Sequence, residues 1–432
     1  MRTYFLKYRS LTFLIVFLFF TQKGWTQQVE LSLEQCQKEV QQNYPIAKAK
    51  QLLEQSSSIN LENLKTGYLP QLFANGKVTY QSDVTGISLP GIEAPKAPKD
   101  QYSLNVDVEQ LIYNGGRIKS QMKLEKMASA VAVQNIEVQM YQLREKVNAA
   151  YFSILLIRKN RNLLHEKYKT IQARLDLVRS AVANGSLLSA NQKILESELL
   201  LIDQQNEELK AAESSAFGVL SQLMGRELKT DLVLEELPVD ETEINKVSLR
   251  SRPEYQWYDN QKLLLDEQIN LTQKNRLPSI KGFGQMGYGK PGYNQLNDSF
   301  DTYYMIGAKL SWNIFDWKTS RRKQKNYSLQ KDLVTTQELS FVRSQNIELE
   351  QEANNINKFK LLLVKDDAII ELQEDISKSS ASQLDHGVIT SSDYLDDLNK
   401  EIQAKLNRDY HLVQLQQSVA EYKRIKGLAL KK

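Results

Sequence analysis

The stretch "YSLNVDVEQLIYNGGR", Tyr102 to Arg117, decides the fold. Tyr102, Leu104, Val106, Val108 and Ile112 alternate with Ser103, Asn105, Asp107 and Glu109, so a strand here carries one apolar and one wet face. The pattern breaks at Asn114-Gly115-Gly116, and neither glycine nor proline occurs again before Gly185. Arg117 to Asn184, 68 residues, therefore reads as a single helix, about 100 Å long at 1.5 Å per residue. No globular domain needs a helix of that length, so the strand and the helix must work on different scales.

The same arrangement occurs twice. "YMIGAKLSWNIFDWK" from Tyr304 echoes the opening strand at an offset of 202 residues, and "HGVITSSD" at His386 echoes "NGSLLSAN" at Asn184 at the same offset. Lys318 to His386 is a second glycine- and proline-free run, of 69 residues. In the first run Leu143, Val147, Ala150, Ile154, Ile157, Arg161, Leu164, Tyr168, Ile171, Leu175, Val178 and Val182 alternate four and three apart, a heptad seam broken only by Arg161. A return helix follows each glycine, over 189–224 and 391–426, making two antiparallel hairpins. Helices at 32–65 and 253–276 precede the strand pairs, 71–113 and 279–315, with Pro253 suited to a first turn. The expected organisation is a first repeat over 27–225, a connector over 226–250 and a second repeat over 251–432.

All four strands alternate. Leu72, Ala74, Gly76, Val78 and Tyr80 oppose Asn75 and Lys77, while Ile280, Gly282, Gly284, Met286 and Tyr288 oppose Lys281. Tyr304, Ile306, Ala308, Leu310, Trp312 and Ile314 oppose Lys309. A strand in a soluble sandwich alternates too. Length favours a membrane, because each strand has about the ten residues that a tilted transmembrane strand needs. Tyr80, Tyr102, Tyr288 and Tyr304 close the apolar face at one end and Trp312 marks the other, as in an aromatic girdle. Leu104, Val106, Val108, Ile306 and Leu310 are then lipid-facing, and Asn75, Lys77, Asn105, Asp107, Glu109, Lys281 and Lys309 face the lumen. Four strands enclose no aqueous bore, since even eight fill with side chains, so several copies must share one barrel. Three copies give twelve strands.

The N-terminus agrees with export. Arg2, Lys7 and Arg9 precede "LTFLIVFLFF", too short for a spanning helix and ordered like a signal peptide over 1–26 with a cut near Thr26. That leader holds four bases and no acid, so removing it from 56 Lys and Arg leaves 52 against 52 Asp and Glu. The mature chain is neutral, which gives no reason for a nucleic-acid partner. A single cysteine, Cys36, excludes an intrachain disulfide framework, and its distance from the cut does not suit lipidation. His165, His386 and His411 have no metal-ligand or triad spacing, so no catalytic residue, metal or cofactor is expected.

These residues, in order, resemble the TolC-like outer membrane efflux proteins. The resemblance spans "LSLEQCQKEVQQNYPIAKAK" from Leu31, "YLPQL" from Tyr68, "QLIYNGGRIKSQ" from Gln110, "NGSLLSANQKILESELL" from Asn184, "LSQLMGREL" from Leu220 and "RPEYQW" from Arg252. It departs at Asp316-Trp317-Lys318, where the first copy has Asn114-Gly115-Gly116, the expected bend from barrel to tunnel. What the resemblance implies is a mostly α-helical homotrimer in a Gram-negative outer membrane. A twelve-stranded barrel in outer membrane lipid would continue into a periplasmic α-helical tunnel, docked by a periplasmic adaptor protein and an inner-membrane pump of the RND or ABC type. The expected role is passive conduction in efflux or type I secretion.

The hairpin tips, Asn184, Gly185, Leu187, Leu188, His386, Gly387, Val388 and Ile389, are the expected adaptor-docking surface, although the glycines also suit plain left-handed helix caps. Asp385, Asp393, Asp396 and Asp397 near the second tip are candidates for a periplasmic gate, as threefold symmetry would make rings of carboxylates; acids also suit a helix N-terminus. "KTSRRKQK", Lys318 to Lys325, with Arg117, Lys119, Lys123 and Lys126, falls just below the barrel, against lipid headgroups or along the tunnel. The alternative to a duct is a periplasmic or surface coiled-coil spacer whose strands form a soluble cap.

Overall fold

The computed structural model of the chain describes residues 30–89, 91–238 and 249–428. The expected leader, 1–26, and residues 239–248 of the expected connector lie outside the described residues. In chain order the elements are α1 (Leu33–Asn43), α2 (Ala47–Thr66), β1 (Gln71–Tyr80), β2 (Gly86–Leu89), β3 (Ile92–Lys96), β4 (Asp100–Tyr113), α3 (Arg117–Ala183) and α4 (Ser189–Met224). The second half holds α5 (Pro253–Lys274), β5 (Ser279–Lys290), β6 (Asp301–Ser311), α6 (Thr319–Asp385) and α7 (Ser391–Lys426).

The internal repeat is exact in the long helices and their return helices. Both α3 and α6 have 67 residues and both return helices, α4 and α7, have 36. From Arg117 to Thr319 and from Ser189 to Ser391 the offset is 202 residues. Each long helix begins at a left-handed residue, Gly116 or Lys318, and each hairpin turns at a glycine with positive φ, Gly185 or Gly387. At 1.5 Å per residue α3 and α6 are each about 100 Å long.

No single core could serve a body this long, and burial falls into separate clusters. Near the middle, Cys36, Val147, Tyr151, Phe152, Ile154, Phe217, Leu220 and Met224 join α1, α3 and α4. Toward the tips Ile171, Leu175, Leu195, Leu384, Tyr394 and Leu398 join the two hairpins. A smaller group, Ile356, Phe359, Leu415 and Val419, zips α6 to α7. Each such side chain contributes about 1.5–3 kcal/mol on burial. The heptad seam of α3 is the buried one: Leu143, Val147, Ala150, Ile154, Leu164, Ile171, Leu175 and Val178 are buried, and Ile157, Tyr168 and Val182 are half-buried. Arg161, the seam's exception, faces the buried carboxylate of Glu213, which also accepts from Arg158 Nε at 2.7 Å. Arg158 further donates to the carbonyls of Leu232 and Thr230, tying the connector to the hairpin. Tyr151 does the same, its hydroxyl standing between Leu31 O and Glu235 O, 2.8 and 2.7 Å away, to share its one proton. Burial pushes the Cys36 thiol up to about 12, consistent with an inert packing residue.

Three expectations need correction. The helix expected over 32–65 is two helices, because Pro45 follows Tyr44, whose backbone is extended (ψ 134) as a residue before proline prefers. The last strand, expected to reach Phe315, stops at Ser311, so Trp312 and Ile314 belong to the loop leading to α6. The Gly/Pro-rich segment between β1 and β4, expected only to join the first strand pair, contains the two-stranded sheet β2–β3. Its proline content hid the pairing.

Candidate functional site: two sheet faces, two bends and two hairpin tips

The strands from the two copies join into one antiparallel sheet of order β1-β4-β5-β6. Register fixes the faces. Asn75 pairs with Asn105, Lys77 with Ser103, Asp107 with Gln285 and Lys281 with Lys309, so all lie on one face with Glu109. Leu104 pairs with Tyr288, Val106 with Met286, Val108 with Gly284, Gly284 with Ile306 and Ile280 with Leu310, which lie on the other. The seven expected lumen residues thus share one face and the five expected lipid residues share its opposite.

The wet face is organised by hydrogen bonds. Asp107 sits at its centre, accepting from Asn75 Nδ2 at 2.6 Å, from Asn105 Nδ2 at 2.8 Å and from Gln285 Nε2 at 2.7 Å. Tyr293, from the β5–β6 loop, donates to Gln285 Oε1 at 3.0 Å and meets Tyr303 edge-on at 4.7 Å. Lys281 pairs with Glu109 at 2.9 Å. The apolar face has no cover among the described residues: Val78 is 73% exposed, Leu104 64%, Ile306 82% and Leu310 65%. Such a contiguous exposed apolar surface marks an interaction or membrane surface. Among the described residues the sheet is also open at both ends, since β1 and β6 each pair on one side only.

Below the sheet the chain bends twice in the same way. Asn114 Oδ1 accepts from Gly116 N at 3.0 Å, with Gly115 and Gly116 at φ 64 and 80. In the second copy Asp316 Oδ2 accepts from Ser320 N at 2.9 Å, and Trp317 and Lys318 take φ 54 and 61. The two backbones match although the residues do not. The Ser320 hydrogen bond holds the Asp316 carboxyl below its ordinary range.

At the far end the two hairpin tips touch. Asn191 Oδ1 accepts from Ser391 N at 2.8 Å, and Leu187 lies against Gly387. Asn184 and His386 end α3 and α6, Leu187 and Ile389 pack into the tip cluster, and Leu188 and Val388 stand exposed. His386 Nδ1 lies 2.8 Å from Ser382 O. The four gate candidates are all engaged inside the chain. Asp385 pairs with Arg174 of the other hairpin. Asp393 closes a capping box with Thr390, accepting from its backbone N at 3.0 Å and its hydroxyl at 2.7 Å; those bonds hold its carboxyl below the usual range. Asp396 and Asp397 pair with Lys400 at 2.8 and 3.2 Å. Sequence reasoning missed Arg174, which also lies 5.4 Å over the Tyr394 ring, and Asn191. Neither carries a local signal, because their partners are about 200 residues away.

Solved structures share this fold. The chain superposes on the CusC transmembrane channel with a TM-score of 0.71 at 12% identity, covering 93% of each chain. It has the fold of an outer membrane channel. The open-state outer membrane channel MtrE of Neisseria gonorrhoeae gives a TM-score of 0.66 at 17% identity, over 92% of this chain and 89% of that one. The CmeC outer membrane channel of Campylobacter jejuni gives 0.66 at 14%, over 92% and 86%. No family model and no curated protein matches the sequence. The channel fold is thus carried by element order and length, with few residues in common. Among the described residues no helix is long and apolar enough to cross a membrane.

Proposed function

We propose that this chain is a passive exit duct of a Gram-negative outer membrane, assembled as a homotrimer and fed from the periplasm by an adaptor protein and an inner-membrane pump of the RND or ABC type. One observation carries the reading: a sheet with an uncovered apolar face, a hydrogen-bonded wet face and two unpaired edges sits at the end of helices about 100 Å long. Strands satisfy their backbone groups in hydrocarbon only in a closed barrel, so β6 of one copy pairs with β1 of the next. Three copies close twelve strands around a bore lined by Asn75, Lys77, Asn105, Asp107, Glu109, Lys281 and Lys309. A second, exposed apolar stripe on α6, including Leu333, Ile347, Leu361, Val364, Leu372 and Ile376, supports side-by-side packing of the copies.

In this reading the exposed tip residues Leu188 and Val388 meet the adaptor, and Asp385, held by Arg174, latches one hairpin to the other. Asp393, Asp396 and Asp397 lie beside that latch. Conductance across a planar lipid bilayer tests the duct. The wild-type protein is expected to give stable single-channel steps, and Val106→Lys or Ile306→Lys to insert at least tenfold less often, since a lysine on the lipid face at the bilayer centre costs about 2–4 kcal/mol. Arg174→Ser, which releases the latch, is expected to raise the conductance of inserted channels. A protein that stays in solution without detergent and never conducts would be a spacer, and the reading would fall.

A further inference from the structure

Just beyond the last strand stands a belt that the duct itself does not require. Trp312 is 55% exposed, Ile314 72%, Phe315 65% and Trp317 76%, and Phe315 meets Trp317 edge-on at 4.8 Å. They follow β6 in the chain, just past Leu310 and Ser311 at the end of the sheet. Directly after them come Lys318, Arg321, Arg322 and Lys325, on one side of the first two turns of α6 and all exposed, while Ser320, Gln324 and Tyr327 on the opposite side are half-buried. None of the four cations has an ion-pair partner among the described residues; Arg322 reaches only Thr319 Oγ1, at 3.5 Å. Elsewhere on the helices the bases are widely paired, as Lys262, Lys331, Lys405 and Arg408 are. No acid stands in the first turn of α6, so these cations also oppose the helix's own field and do not serve its stability.

The backbone adds an independent observation. Trp317 and Lys318 hold left-handed conformations that the first copy assigns to Gly115 and Gly116. Glycine adopts them at no steric cost, whereas bulky residues there are strained. Strain kept against an easy remedy points to a role for the side chains themselves.

We propose that this belt is a binding site for anionic phospholipid in the periplasmic leaflet, and the proposal rests on the reading of the sheet as membrane-spanning. Trp312, Phe315 and Trp317 take the interfacial depth that aromatic rings prefer. Lys318, Arg321, Arg322 and Lys325 then lie at headgroup depth, spread over about 10 Å of helix, where guanidinium and ammonium groups meet lipid phosphates. Threefold assembly would repeat the site around the barrel, forming a collar that fixes its depth.

The test is quenching of tryptophan fluorescence by brominated lipids, with the full-length protein reconstituted in phosphatidylcholine vesicles. Brominated phosphatidylglycerol is expected to outcompete brominated phosphatidylcholine near Trp312 and Trp317 by about tenfold, an advantage that shrinks with salt. The triple variant R321Q/R322Q/K325Q should lose that preference while phosphatidylcholine quenching and single-channel conductance stay, and R321K/R322K/K325R should keep it. Equal quenching by both lipids in the wild type, or an unchanged preference in the triple variant, overturns the collar and leaves the duct standing. No quenching by either lipid overturns both.

Discussion

At the residue scale the two bends are a natural experiment, because one backbone path is built from Gly115-Gly116 and the other from Trp317-Lys318. A Cβ on Gly115 would lie 2.4 Å from Leu277 Cβ, while nothing stands within 4 Å of one on Gly116. Gly115→Ala is therefore expected to destabilise by more than about 2 kcal/mol, and Gly116→Ala by only about 1 kcal/mol of backbone strain. Lys318→Gly runs the other way, gaining about 1 kcal/mol. Thermal dissociation of the assembled protein ranks all three. Asp393 supplies a pH dependence. Its carboxyl is lowered in the fold by the Thr390 bonds, so its contribution is full above the ordinary value of 3.8 and lost as pH falls through the lower folded value. Amide exchange at the start of α7 should accelerate below that range in the wild type, and at all pH values in Asp393→Ala. The sequence showed the acids of this region but not their partners. Asp385 and Arg174 meet only because two hairpins lie side by side.

At the scale of elements, α3 was legible because its seam repeats every seven residues and nothing in it breaks a helix. Arg161 was the misfit, and packing explains it: with Arg158 it brackets Glu213, whose side chain is 6% exposed. Glu213→Gln would leave two guanidinium groups facing each other with one neutral acceptor, and should destabilise by about 3 kcal/mol. A denaturant titration of the purified protein reads that loss; an unchanged midpoint would mean that water replaces the carboxylate. The break at Tyr44-Pro45 and the early end of β6 were harder to place. Alternation persists through Trp312 and Ile314, so the pattern alone could not show that pairing stops at Ser311, where β5 has no further partner to offer. The β2–β3 hairpin was equally hidden, since its residues look like loop and its strands pair only with each other.

At the scale of the molecule, the surfaces left uncovered say how the chain is used. Along α6, Leu333, Ile347 and Leu361 are exposed at spacings of fourteen, an apolar stripe on one side of the helix that nothing among the described residues covers. Leu361→Glu is expected to weaken self-association at least tenfold while leaving the helical circular dichroism unchanged, as sedimentation of the detergent-solubilised protein would show. Loss of helix along with assembly would place Leu361 in the protomer's own packing instead.

The sequence by itself determined the elements and their order: alternation of period two made strands, heptads without glycine or proline made long helices, and a constant offset made two copies. It also assigned each strand residue to a face, because side chains alternate strictly along a strand. Only the tertiary structure decided that β4 of the first copy pairs with β5 of the second, that the tips are tied through Asn191 and Arg174, and that Trp317 and Lys318 are held in a glycine's conformation. Those facts depend on contacts between residues far apart in the chain. Local periodicity records which way a side chain points, whereas what it meets is fixed by where distant elements come to rest.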